Sequence, residues 1–160
     1  MKKLAGIACL LVLSGNIPAA AAPPKGNTLK LYDEKADGKV QIVKALAEAK
    51  RTRKNVLLQF GANWCGWCYK LHGLMGKDKT IAATLKKNYV LVLIDVVDQK
   101  HNADVVKQYD NPVRFGLPVL VVLDKEGKML TTQDTAKLEE GDHHDPKKVL
   151  AFLRQWTPKN

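Results

Sequence analysis

Val56-Leu57-Leu58-Gln59-Phe60-Gly61-Ala62-Asn63-Trp64-Cys65-Gly66-Trp67-Cys68-Tyr69-Lys70-Leu71-His72 is the stretch on which the reading of this chain turns. From Val56 to Phe60 the run is apolar except for Gln59, continuous rather than alternating, which predicts a strand covered on both faces. A short loop follows, then two cysteines at the start of a helix that continues through Leu71, Leu74 and Met75. A Cys-x-x-Cys at a strand-to-helix turn is a redox signature. Two intervening residues let both sulfurs meet across one helical turn, so the pair can pass between dithiol and disulfide with little backbone movement. Cys65 falls at the helix N-terminus, where unpaired N–H groups and the helix dipole favour a thiolate. A thiol of lowered pKa is a nucleophile. Cys65 is therefore read as the attacking thiol and Cys68 as the resolving one.

The same spacing could supply half of a zinc site. Zinc needs four ligands, and His143-His144 is the only candidate partner pair. Adjacent histidines are poorly placed to share one tetrahedral ion, and clustered polar residues before a helix are ordinarily loop and capping chemistry. No metal is expected, and no cofactor beyond the cysteine pair.

Outward from the motif, the 160 residues suffice for one domain with a proper core. Met1-Lys2-Lys3, the apolar run Leu4 to Leu13 and the small residues Ala19-Ala20-Ala21 have the form of a secretory signal peptide. Cleavage is expected after Ala21, since a cut after Ala22 would leave Pro23 badly placed. The apolar run is too short to span a bilayer. Cys9 reads as a small apolar residue of that segment rather than a lipid-modified terminus. Its removal leaves two cysteines, both in the motif. The net charge is +10, and without Lys2 and Lys3 it comes from 24 basic and 16 acidic residues. The basic residues are scattered, densest at Lys50-Arg51 and Arg53-Lys54, without aromatic interleaving, so a solvated surface rather than a nucleic-acid site is expected.

Residues 22–37 show no period and read as an extended lead-in, with a possible edge strand at Leu29-Lys30-Leu31-Tyr32. From Gly38 to Arg53, Val40, Val43, Leu46 and Ala47 recur at helical spacing, with Asp37 as cap. After the motif helix, Gly76-Lys77-Asp78 marks a break and Thr80 to Lys87 a further helix. Tyr89 to Val97 predicts a central strand, and Ala103 to Tyr109 a short helix. Val119 to Leu123, the turn Asp124-Lys125-Glu126-Gly127 and Lys128 to Thr132 predict a hairpin. Residues 132–145 form a polar insertion with no assignable structure. Asp145-Pro146 opens a last helix with Val149, Leu150, Leu153 and Trp156 on one face. This order implies an α/β domain, a mixed sheet between two helical layers.

Trp64-Cys65-Gly66-Trp67-Cys68 after an apolar strand resembles the thioredoxin superfamily, and Gly116-Leu117-Pro118-Val119 is similar to its cis-proline loop. The resemblance covers roughly residues 39–156 and implies a thioredoxin fold over 38–160. It implies a cis Pro118 facing the cysteines and Leu117 presenting its backbone to a partner strand. Trp64 would shield the sulfur, Gly66 let the loop turn and Trp67 occupy the dipeptide position that influences redox potential. Gln59 departs from the pattern: the family carries a buried aspartate six residues before the first cysteine. His72, one turn beyond Cys68, is a candidate substitute relay, though a structural histidine is the plainer reading. The implied activity is thiol–disulfide exchange with exported protein disulfides, as a monomeric periplasmic reductase fed by a membrane or periplasmic donor. An oxidase or isomerase, and a metal chaperone or assembly factor on the same scaffold, are the alternatives.

Overall fold

In the computed structural model, which describes residues 30–98 and 100–159, the motif strand is the spine of the domain. This strand, β1 (Asn55–Gly61), is buried at every position. It pairs in parallel with β2 (Tyr89–Asp95) and antiparallel with β3 (Val119–Leu123), which pairs antiparallel with β4 (Met129–Asp134). The sheet order is β2-β1-β3-β4. Helices α1 (Gly38–Thr52) and α4 (Ala103–Gln108) cover one face; α2 (Gly66–Lys77), α3 (Lys79–Asn88) and α5 (Pro146–Gln155) lie on the other. The result is the mixed-sheet α/β sandwich that the sequence implies.

Period-two alternation divides the core in two. Val56, Leu58 and Phe60 meet Ile42, Ala45 and Ala49 of α1 and Val105 of α4, with Val92 and Ile94 beside them. Leu57 turns the other way, towards Leu71 and Met75 of α2, Ile81 of α3 and Val149, Phe152 and Leu153 of α5. The helix starts follow local chemistry. Asp37, Asp78 and Asp145 each cap the helix that follows them, their carboxylates accepting backbone N–H groups. Pro146 stands in the first turn of α5, where a missing N–H costs nothing.

Four expectations are corrected. Tyr89–Asp95 is an edge strand among the described residues, because its apolarity reflects helices on both faces rather than strands on both sides. Of the expected edge strand, Leu29 lies outside the described residues and Leu31 and Tyr32 form bends, since the Asn63 side chain takes both the N–H and the C=O of Tyr32. On α1 the buried face is Ile42, Ala45 and Ala49, leaving Val40 and Val43 outside, because the alanines let the helix sit close to the sheet. The insertion is structured: β4 runs on to Asp134, a 3-10 turn covers Thr135–Leu138, and β5 (Glu139–Glu140) pairs with β6 (His143–His144). The expected signal peptide and Cys9 lie outside the described residues.

Leu120 is wholly buried in a central strand, whereas Val43 is 67% exposed. Leu120→Ala is expected to lower unfolding free energy by about 2–5 kcal/mol, and Val43→Ala to change it by no more than about 0.5 kcal/mol. Urea titrations of the two variants check this.

Candidate active site

At the C-terminal end of β1 the backbone leaves the sheet through Ala62 and Asn63 and enters α2 at Cys65, which is the N-cap residue of that helix. Its Sγ accepts the N–H of Cys68 at 3.2 Å. The capping position that a serine or aspartate oxygen ordinarily fills is held by sulfur, and a thiolate there gains from the hydrogen bond and the helix dipole alike. Cys65 and Cys68 are joined as a disulfide with their Cα atoms 5.3 Å apart. Cys65 retains 5% exposure and Cys68 none, so a partner sulfur can reach only the first of the pair.

Leu117 packs on the cysteines from the opposite loop, and the Leu117–Pro118 peptide bond is cis. Thr135 Oγ1 donates to the Pro118 carbonyl, tying that loop to the 3-10 turn after β4. Gly116 ahead of it has φ of 89°, a left-handed conformation suited to glycine. Trp64 is 67% exposed and donates through Nε1 to the Val97 carbonyl at 3.2 Å, which fixes its indole against the loop after β2 beside the motif. Gly66 is exposed, with open space where a Cβ would stand.

Trp67 is half-buried, because the insertion supplies a wall. The ring of His144 meets its indole edge-on, centroids 5.2 Å apart, and Lys70 Nζ stands 4.4 Å over the indole centroid. Lys70 also donates to the Asp142 carbonyl, pinning the hairpin to α2. His143 points outward beside Asp142 while His144 is 2% exposed, so alternation along β6 sends the two imidazoles to opposite sides. They cannot close on one metal ion. Both ring nitrogens of His144 lack partners, and burial holds its pKa below the ordinary histidine value.

Gln59 is fully buried and donates through Nε2 to Tyr32 Oη at 2.7 Å and to the Cys68 carbonyl at 3.3 Å. His72 makes no hydrogen bond to Cys68, and burial lowers its pKa too. Three residues at this end of the sheet escaped the sequence reading. Asn63 clamps the lead-in: Oδ1 accepts from Tyr32 N, and Nδ2 donates to the Tyr32 carbonyl, each at 2.9 Å. Tyr32 is 1% exposed and clusters with the two cysteines. Asp95, at the end of β2, is equally buried. Its being the one aromatic residue of the lead-in was the available signal for Tyr32; Asp95 was hidden in the apolar run Tyr89 to Val97.

Residues 39–125 match a family described as thioredoxin-like. Among solved structures, a disulphide isomerase from Xylella fastidiosa Temecula1 superposes with TM-score 0.70 at 34% identity, covering 78% of this chain and 95% of its own. The C-terminal domain of DsbD from Neisseria meningitidis, in its oxidised form, superposes with TM-score 0.54 at 20% identity, covering 75% and 96%. A thioredoxin from Thermus thermophilus gives TM-score 0.53 at 21% identity, covering 71% and 81%. The last two are likenesses of fold. No curated relative matches the chain.

The buried imidazoles carry a pH dependence. His144 and His72 both have folded pKa values below the unfolded value of 6.5, so the unfolded state binds more protons as pH falls. Their contribution to stability is complete above that value and is lost as pH falls below it towards the depressed folded values. His144→Phe, which keeps a ring against Trp67 and removes both orphaned nitrogens, is expected to flatten part of that loss. Denaturation midpoints measured across the acid range for the two proteins check it.

Proposed function

The chain belongs to the thioredoxin-like family and is a thiol–disulfide oxidoreductase, and we propose that it works as an exported reductase of protein disulfides. Cys65 attacks the partner disulfide as thiolate, a mixed disulfide forms, and Cys68 displaces the reduced partner. Pro118 and Leu117 flank the pair where a partner strand would lie, with Gly66 and Trp67 forming the remaining rim. Gln59 holds the carbonyl of Cys68, and Trp64 shapes the approach. Electrons would return to the pair from a periplasmic or membrane donor, the protein acting as a monomer. The signal-like residues 1–21 support export.

One observation carries the direction. Strongly oxidising pairs owe their potential to a reduced form in which the thiolate is heavily stabilised. Around Cys65 that stabilisation is modest: one backbone N–H, the end of a helix, and a cluster with Cys68 and Tyr32 walled by the apolar Leu31, Trp67, Leu93 and Leu117. The imidazole of His144 sits behind Trp67, with burial favouring its neutral form. A pair so placed is expected to lie towards the reducing end. An isomerase is the second reading, favoured by the 34% identity to the Xylella fastidiosa disulphide isomerase.

Equilibration of the pair with glutathione tests the direction. A reduction potential near about −270 mV is expected, and one near about −120 mV would replace the reductase reading by an oxidase. In an insulin-reduction assay Cys65→Ser is expected to abolish turnover, while Cys68→Ser accumulates the partner as a mixed disulfide visible on a non-reducing gel. Efficient unscrambling of a mispaired substrate, together with weak insulin reduction, would favour the isomerase.

A further inference from the structure

The family's usual base position holds Gln59, which can neither give up nor accept a proton at neutral pH. Yet among the described residues one acidic side chain is buried, and it lies at the same end of the sheet. Asp95 is 1% exposed; its Oδ2 accepts the Val97 N–H at 3.1 Å, and its Oδ1 has no partner. Asp95 is the register partner of Gly61 in the parallel β1–β2 pair, so the two residues project to one face of the sheet. Gln59 and Leu93 lie on that face, towards Cys68 and Tyr32.

Gly61 leaves the space in which these groups meet. A Cβ built there would stand 2.2 Å from Tyr32 Oη and 2.7 Å from Cys68 Sγ. Oxygen and sulfur therefore both occupy the volume that a side chain would need, within about 5 Å of one another. The hydrogen-bond accounting then assigns the phenolic proton. The end of Gln59 that faces the Cys68 carbonyl must be its NH2, and that same nitrogen faces Tyr32 Oη. Tyr32 thus accepts from Gln59, and its own O–H is unspent.

Resting on the thiol–disulfide reading above, we propose that Asp95 is the proton acceptor for Cys68, reached through the hydroxyl of Tyr32 across the space left by Gly61. In the oxidised state the Tyr32 hydroxyl is hydrogen-bonded to Gln59 alone and Asp95 Oδ1 is unpartnered. With a partner joined to Cys65 by a mixed disulfide, the Tyr32 O–H turns to Asp95 Oδ1, and Cys68 passes its S–H proton to Tyr32 Oη as Tyr32 passes its own to the Asp95 carboxylate. The Cys68 thiolate attacks Cys65 Sγ and the Cys65–Cys68 bond forms. The bond from Cys65 to the partner sulfur breaks, and the electron pair leaves on that sulfur, which takes a proton from water. Two electrons have moved from the cysteine pair to the partner. Burial raises the Asp95 carboxyl above its ordinary pKa, making it a better base; Glu34 and Asp98 add to the rise, while the Val97 N–H and His101 oppose it. Burial raises the pKa of the Tyr32 phenol, the Gln59 hydrogen bond opposes the rise, and the Asp95 charge adds to it.

Reduced full-length protein mixed with Ellman's reagent separates the steps. The first thionitrobenzoate is released by attack of Cys65, the second by attack of Cys68 on the resulting mixed disulfide. The quantity read is the ratio of second-phase to first-phase rate against pH. In Asp95→Asn this ratio is expected to fall on the order of a hundredfold near neutral pH and to recover as pH rises and hydroxide replaces the base. Tyr32→Phe is expected to reproduce the profile, and the double variant to add little. An unchanged ratio in either variant overturns the relay, as does an equal slowing of both phases, which would mark a structural effect. Should wild-type protein release no second equivalent, the thiol–disulfide reading itself fails, a result distinct from any of these.

Discussion

Everything at the reactive end of this molecule depends on a sulfur atom standing where a helix would normally be capped by oxygen. Cys65 closes the first turn of α2 by accepting the Cys68 N–H, so the helix cannot form its start without placing the nucleophile beside the resolving thiol. The position of that start is dictated from behind. A strand buried along its whole length between two helical layers has no freedom to shift register. It delivers Ala62, Asn63 and the cysteine to one place.

The polar groups near the pair follow from the same burial. A core this apolar tolerates Gln59 only because its NH2 finds a phenol and a carbonyl. That arrangement draws Tyr32 inward, and Asn63 fastens the backbone of Tyr32 to the loop before the motif. Residues that precede the first helix thereby become part of the wall around Cys68, at the far end of the sequence from β3 and the proline loop that faces it.

Much of this was legible in the chain. Continuous apolarity marked β1 and β3, aspartates marked two helix starts, and the strand–cysteine–helix order located the site. What escaped shares one cause: it lies in contacts between segments far apart in sequence. Apolar runs cannot distinguish an edge strand roofed by helices from a central one, which is why Tyr89–Asp95 was misplaced in the sheet. Helical periodicity offered Val40 and Val43 as a buried face because it weighs apolar size, whereas packing chose the small side chains of Ala45 and Ala49. Asp95 resembled the polar end of a strand. Nothing in its neighbours revealed that Gly61, its cross-strand partner, opens a gap for Tyr32.

The short hairpin Glu139 to His144 has a consequence of its own. Through His144 it supports one of the two residues between the cysteines, although it lies more than seventy residues downstream of them. The chemistry of the pair is thus set partly by a module that can lengthen, shorten or change composition without touching the motif. Two homologous chains reading Trp-Cys-Gly-Trp-Cys would share a signature and still differ in temperament. Five letters are then an incomplete label, and the hairpin is the dial by which evolution could retune the pair while leaving its spelling intact.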